Sequence, residues 1–582
     1  MSFPAKILLA LLLGAAPARA QKIRAQVPLC PVSASAPSLP LDVRLPQSAA
    51  APSALPPSAV PPDLALGATP SAPGAPAPEA SARTDAAAAP AERKLDRLLQ
   101  QLKKALPSDD EGVQAALAKI ERIFTSKTSA AAKPPRMQES LSPEWVKKRI
   151  DERRGADKAV LKKQSQIRGQ GFDKAALNPE ILTRHNSSYT KTIPVGKVTN
   201  QQRSGRCWIF AGLNMLRDML VAQGKVRKNF EFSENYLYYF SQLERSNLYL
   251  GKVIREVYGK KAKDINPRDL GDIAPKIGDD GKFADFQLLV EKYGLVPKNA
   301  MPETASSEGT DRLNKEINDS LGLAAQSLVA DARRVAKTGG VSRAAKIRKE
   351  SLTRLVKILT AHLGTPPARF ARTTAGRRRS YTPQEFARKF AGFKFDDYAQ
   401  VGSWSFRKRG LAYEFKKSFL GAPAPGDPPM NYRFVNVDIK RLEQLAVKAL
   451  SRGKPVYIYV AMNRDVDKKS GIMHPKIFKR ADAYDLSRRE RGRKLSRAQA
   501  TSLELNNGSH LMVLTGFDRP DKNGPIVKFR VENSWGPEFG EGGVFHMYRE
   551  WFREHAYSII VPKNLLSSDE LKAWQSPARP MN

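Results

Sequence analysis

The chain reads as an α+β protein. A helical part comes first, a charged helical insertion follows, and a strand-rich part comes last. Three stretches carry this reading. "CWIFAGLNMLRDMLVAQG" from Cys207 spaces its apolar residues as one helix does, and Gly224 is a plausible stop. Residues 310–365 are helical and charged, as in "SRAAKIRKESLTRLVKILTAHLG". "GKPVYIYVAM" (453–462), "SHLMVLTGF" (509–517) and "IVKFRVENSWG" (526–536) are rich in Val, Ile and aromatics and read as strands. That order places a site between a helical half and a strand half.

The elements follow in turn. Residues 1–20 read as a signal peptide: Lys6, an apolar run from Ile7 to Ala16, then Ala18-Arg19-Ala20 as an A-x-A cleavage pattern. The run is too short for a membrane anchor, so export to a periplasm or the exterior is expected. Residues 21–92 are dominated by Ala, Pro and Ser and predict an extended linker that buries no core. Residues 93–160 hold two amphipathic stretches, "KLDRLLQQLKKAL" and "EGVQAALAKIERIF", a helical pro-segment or a spacer. The main domain is expected over 165–582, with the helical insertion at about 300–430 and a tail at 563–582.

The formal charge of +39 favours acidic partners such as nucleic acid or anionic polymer, or describes a solvated basic surface. No RNA- or DNA-binding motif accompanies it. Two cysteines, one of them Cys30 in the linker, exclude a disulfide scaffold. The six histidines form no H-E-x-x-H pattern and the cysteines no C-x-x-C, so no zinc and no cofactor are expected.

Cys207 opens its helix, where unpaired N–H groups and the helix dipole favour a thiolate over a thiol. A thiolate at neutral pH is best held against an imidazolium. His510 opens the strand "HLMVLTGF", and Asn533 in "VENSWG" offers an amide to orient the ring, with Trp535 to keep water from that bond. Gln201, with Gln202 beside it, offers a side-chain amide to an oxyanion, alongside the Cys207 N–H. Each residue has a bland reading: a buried small thiol, a core histidine, a turn asparagine, a core tryptophan, a loop amide. Their order along the chain is what raises them above it.

"NQQRSGRCWIF" resembles the Gln-x5-Cys-Trp stretch of papain-like cysteine peptidases, and "SHLMVLTGF" and "VENSWG" resemble that family's His and Asn segments. Within the family, "EFSENYLYYFSQLER", "VEKYGLVPKNAMPE" and "EWFREHAYSIIV" are similar to the bleomycin hydrolase/aminopeptidase C branch. The resemblance implies a two-lobed papain-like fold, with Cys207 as nucleophile, His510 as base and acid, Asn533 as orienter and Gln201 as oxyanion donor. Trp208 and Trp535 would support them. It implies action on peptides, an aminopeptidase whose C-terminal carboxylate, here on Asn582, holds the substrate amine, and a homohexamer. Endopeptidase action and a basic polyanion-binding protein on the same scaffold are the alternatives. Where secreted papains carry a disulfide cysteine three residues before the nucleophile, this chain has Ser204. The signal peptide also departs from a branch whose members are usually cytosolic.

Overall fold

The computed structural model describes residues 140–581, except 266–270, 375, 406, 416–431, 463, 492–494, 504 and 506–508. The expectations for the signal peptide, the linker, most of the 93–160 segment and Asn582 lie outside the described residues. Helix α1 (Pro143–Arg154) belongs to a unit separate from residues 157–582. Ser142 caps it through the Trp145 N–H, and it buries no side chain.

The second unit is α+β, and most of its long helices come first. They are α2 (Lys158–Gln170), then, after the short strand β1 (Lys191–Thr192), α3 (Cys207–Ala222), α4 (Glu234–Tyr258), α5 (Phe283–Tyr293), α6 (Asp311–Thr338) and α7 (Ala344–Leu363). Helix α3 is buried on almost every face, from Trp208 to Leu220, which is why its sequence is nearly continuously apolar. It lies close to α5: a Cβ on Gly212 would come within 2.7 Å of the Phe286 ring. The hairpin β2 (Phe370–Thr374) and β3 (Arg377–Tyr381) follows as a sheet of its own.

The strand half contains β4 (Tyr398–Gly402), β5 (Leu411–Phe415), β6 (Tyr432–Asn436), helix α8 (Ile439–Ser451), β7 (Val456–Ala461), β8 (Val466–Asp467) and β9 (Ile472–Met473). Helix α9 (Arg497–Ser502), β10 (Ser509–Asp518), β11 (Lys528–Glu532), β12 (Val544–Tyr548), helix α10 (Arg549–His555), β13 (Ala556–Pro562), helix α11 (Ser568–Gln575) and β14 (Arg579–Pro580) complete it. The sheet order is β14-β5-β6-β4-β13-β7-β10-β11-β12-β9-β8, with β1 added to β10. Strands β7 and β10 are therefore interior and pair antiparallel, Val460 opposite His510.

Side chains alternate between two cores. Tyr457, Leu511 and Val513 join the helical core, while Val456, Ile458, Val460, Met512 and Leu514 join a second core with α8 and α10. Two expected boundaries move. The insertion expected at 300–430 is helical only through α7, and β4 and β5 within it belong to the main sheet. "YAQVG" is buried on both faces and lies between β6 and β13. The boundary at 165 cuts through α2, whose Ile167 packs with Phe172 against a small core around Ile477 and Phe478. None of the described helices is long and apolar enough to cross a membrane.

Candidate active site

Cys207 is the first residue of α3, where no side chain caps the helix and the Ile209 N–H donates to Arg206 O at 2.9 Å. The thiol is partly exposed. Arg206, beside it in sequence, turns inward and is fully buried. Its guanidinium pairs with Glu303 at 2.8 Å, donates to Ser204 Oγ at 3.0 Å and stacks 5.2 Å over Phe210. Against the upward push of burial, Arg206 holds the Glu303 carboxyl below the usual range. Its charge is spent on the scaffold.

Asp279 holds the backbone around the thiol, and sequence reasoning did not find it. This carboxylate is buried. One oxygen accepts the Gly205 N–H at 2.9 Å and the Thr310 hydroxyl. The other accepts Tyr238 Oη and Asn314 Nδ2, each at 2.7 Å. Its backbone carbonyl accepts Trp208 Nε1 at 2.7 Å. One residue thus holds both neighbours of the Arg206–Cys207 step. Trp208 is fully buried and braces this hub. Gly281 lies so close that a Cβ there would sit 2.3 Å from the indole. The local signal was the turn-like "GDDGK" run, but partners from α4 and α6 are what give Asp279 its role.

On the strand half, His510 Nε2 donates to Asn533 Oδ1 over 2.8 Å, and both residues are buried. Trp535 lies against the imidazole with ring centroids 4.9 Å apart, and Lys468 caps the indole at 5.4 Å. Burial pushes His510 down to about 4. The Asn533 bond opposes this and the Lys468 charge adds to it. The imidazole is therefore neutral at pH 7 and able to accept a proton, with Nε2 committed to Asn533 and Nδ1 left for chemistry.

Gln201 joins the two halves. Its N–H donates to Ser534 O at 2.8 Å, its Oε1 accepts Ser534 Oγ at 2.7 Å, and its Nε2 donates to Ser204 O at 2.6 Å. One amide hydrogen is thereby used, and an amide carries two. The neighbouring pair of glutamines is resolved by geometry. Gln201 is buried, whereas Gln202 is exposed in left-handed backbone at φ 51°. Deeper in, Arg217 of α3 binds both Asp218 and Glu532, the residue before Asn533. Burial and the neighbouring Asp218 raise the Glu532 carboxyl well above its usual range. Tyr457 donates to Trp208 O at 3.3 Å; burial, with the Cys207 charge next, keeps its phenol protonated.

The expected residues thus fall on the loop before α3 (Gln201), the first turn of α3 (Cys207), the start of β10 (His510) and the loop after β11 (Asn533 and Trp535). Residues 141–582 match the model of the Peptidase C1-like family. The chain belongs to that family. Among its relatives, Aminopeptidase G of Lactobacillus delbrueckii subsp. lactis is 32% identical over 417 residues, covering 70% of this chain and 90% of that one. Aminopeptidase W of the same organism is 30% identical over 427 residues, covering 70% and 93%. The crystal structure of PepW from Lactobacillus rhamnosis HN001 superposes with a TM-score of 0.66 at 26% identity, covering 76% of this chain and 98% of that one. The papain-like α+β fold expected from the sequence is the fold of this family member.

Proposed function

We propose that the chain is a thiol-dependent aminopeptidase. The observation that carries the reading is the buried His510–Asn533 bond under Trp535, tied through Ser534 and Gln201 to the loop that delivers Cys207. In this reading His510 takes the Cys207 proton, and the thiolate attacks the peptide carbonyl. The developing oxyanion is held by the Cys207 N–H and the second Gln201 amide hydrogen. His510 then protonates the leaving amine, and afterwards activates the water that releases the acyl group. Asn533 keeps Nε2 occupied, so Nδ1 handles the protons.

The names of the relatives support the exopeptidase register, and so does the tail. Strand β14 runs parallel to β5, Arg579 opposite Tyr413, and Met581 packs with Tyr413 and Phe434. Further along, Phe415 of β5 lies opposite Tyr432, whose hydroxyl binds Asp285 at the start of α5, close in sequence to Gly281 under Trp208. We assign Asn582, next after Met581, as the residue whose carboxylate receives the substrate amine.

One comparison tests the reading. A fluorogenic peptide with a free N-terminus and its N-acetyl twin are offered to the reduced protein, with Cys207→Ala as blank. Cleavage of the free peptide alone, abolished in Cys207→Ala and weakened by deleting Asn582, is expected. Equal cleavage of both twins makes the protein an endopeptidase instead. Undiminished turnover in Cys207→Ala removes the thiol from the mechanism.

A further inference from the structure

Arg497 opens α9, the short helix that precedes the His510 strand. Its Nη2 donates to Ser403 O at 2.5 Å and to Ala556 O, and its Nη1 reaches Ser403 Oγ at 3.5 Å. The guanidinium lies 5.5 Å over the Tyr557 ring. No carboxylate among the described residues stands within ion-pair distance. Asp438, the acid whose charge reaches it, is paired at 2.8 Å with Arg409. Burial pushes the guanidinium down to about 10. A half-buried cation with only neutral partners among the described residues loses hydration without an ion pair, and an anion would relieve that cost.

The register places this cation beside the candidate site. Ala556 lies opposite Val460, and Val460 lies opposite His510. Two strand spacings, about 10 Å, separate the Ala556 and His510 backbones. The ladder shifts between Ala556 and Ser558, so β13 carries an extra residue there, Tyr557. Its ring stands 5.4 Å from Tyr459 and stacks 4.8 Å from Trp404. Tyr459 packs against the same helical core as Cys207. A wall of three rings thus runs from the Cys207 side of the sheet to Arg497.

We propose that Arg497, backed by Tyr557, Tyr459 and Trp404, binds a carboxylate of the peptide substrate and so sets specificity. This rests on the peptidase reading above. The carboxylate belongs either to an acidic side chain or to the free C-terminus of a short peptide. Both present the planar acceptor that a guanidinium fork matches.

The test measures binding, so it does not depend on turnover. On the full chain carrying Cys207→Ala, calorimetry gives Kd for tetrapeptides with Glu or Gln at each position in turn, each as free acid and as amide. At least one charged peptide is expected to bind ~tenfold tighter than its neutral twin. Adding Arg497→Gln should reduce that ratio below about twofold, and Arg497→Lys should leave an intermediate ratio. A Glu/Gln difference identifies a side chain, and an acid/amide difference identifies the C-terminus. The proposal is overturned if no pair differs by more than about twofold, or if the ratio survives in a folded Arg497→Gln variant. Should that variant fail to fold, Arg497→Lys decides: an unchanged ratio overturns the assignment and a reduced one supports it. A tether that merely held α9 to Ser403 and Ala556 would weaken all peptides alike. Absence of hydrolysis by the unmodified chain would refute the peptidase reading without touching this result.

Discussion

The two halves of the candidate site are held in place by different physics. On the helical half, the backbone around Cys207 is held by buried polar groups. Asp279 binds Gly205, Thr310, Tyr238, Asn314 and the Trp208 indole, and the Arg206–Glu303 pair lies beneath. On the strand half, the register of an apolar ladder delivers His510, and the bond to Asn533 under the Trp535 ring sets its imidazole. A polar hub fixes several groups at once, because each bond removes an otherwise unsatisfied buried donor or acceptor. A ladder fixes a whole strand through repeated backbone pairing and leaves the orientation of its functional side chain to a few neighbours. The hub should therefore fail globally and the ladder locally.

The largest expected effect follows from emptying the hub. Asp279→Ala orphans buried donors on three other elements, each worth about 1–3 kcal/mol. A loss of several kcal/mol is expected, seen as a large drop in Tm together with loss of peptidase activity. Asp279→Asn, which keeps the shape, should recover part of both. A Tm within a few degrees of the parent in Asp279→Ala would show that the hub does not bear on stability.

Asn533→Ala should separate stability from turnover. A fall in kcat of roughly tenfold to a hundredfold is expected, on the scale of a positioned proton-transfer group, with a smaller loss of Tm than in Asp279→Ala. Asn533→Gln, longer by one methylene, should not restore the rate. If Asn533→Ala unfolds the protein as readily as Asp279→Ala, the contrast between the halves is lost.

The smallest effect distinguishes the halves by pH. On the strand half, burial pushes His546 down to about 4 from an ordinary 6.5. Its stabilising contribution is complete above pH 6.5 and is lost as pH falls toward 4. On the helical half, burial raises Asp280 to about 6 from 3.8. The folded state gains a proton first, so this contribution rises as pH falls from above 6 toward 3.8. Thermal melts between pH 7.5 and 4.5 should show His546→Gln lessening acid destabilisation and Asp280→Asn worsening it. Identical pH profiles for the two variants would refute the opposition.

Much of the site was legible in the chain because its residues sit in short segments with strong local character. Cys207 heads a long apolar helix, and His510 and Asn533 flank β-rich runs. The glutamine pair was ambiguous because neighbours share a composition. Burial of Gln201 and the left-handed backbone of Gln202 separate them, and neither is a local property of the letters. Arg206 sits beside the thiol in sequence, yet Glu303, far along the chain, claims its charge. The insertion was read too long because β4 and β5 are each only five residues and carry little periodicity alone. They become strands by pairing with β13 and β6.

By itself the sequence determined the α+β class, the helix that begins at Cys207, the strand that begins at His510, and the residue types for thiolate chemistry. These follow from periodicity and from groups whose reactivity is intrinsic. The tertiary structure decided which charges are spent and which are available. Arg206 is consumed by Glu303, Arg217 is shared between Asp218 and Glu532, and Arg497 stands on an aromatic wall with only neutral acceptors. The free energy of a charge depends on what surrounds it within a few ångströms, and those surroundings come from residues hundreds of positions apart.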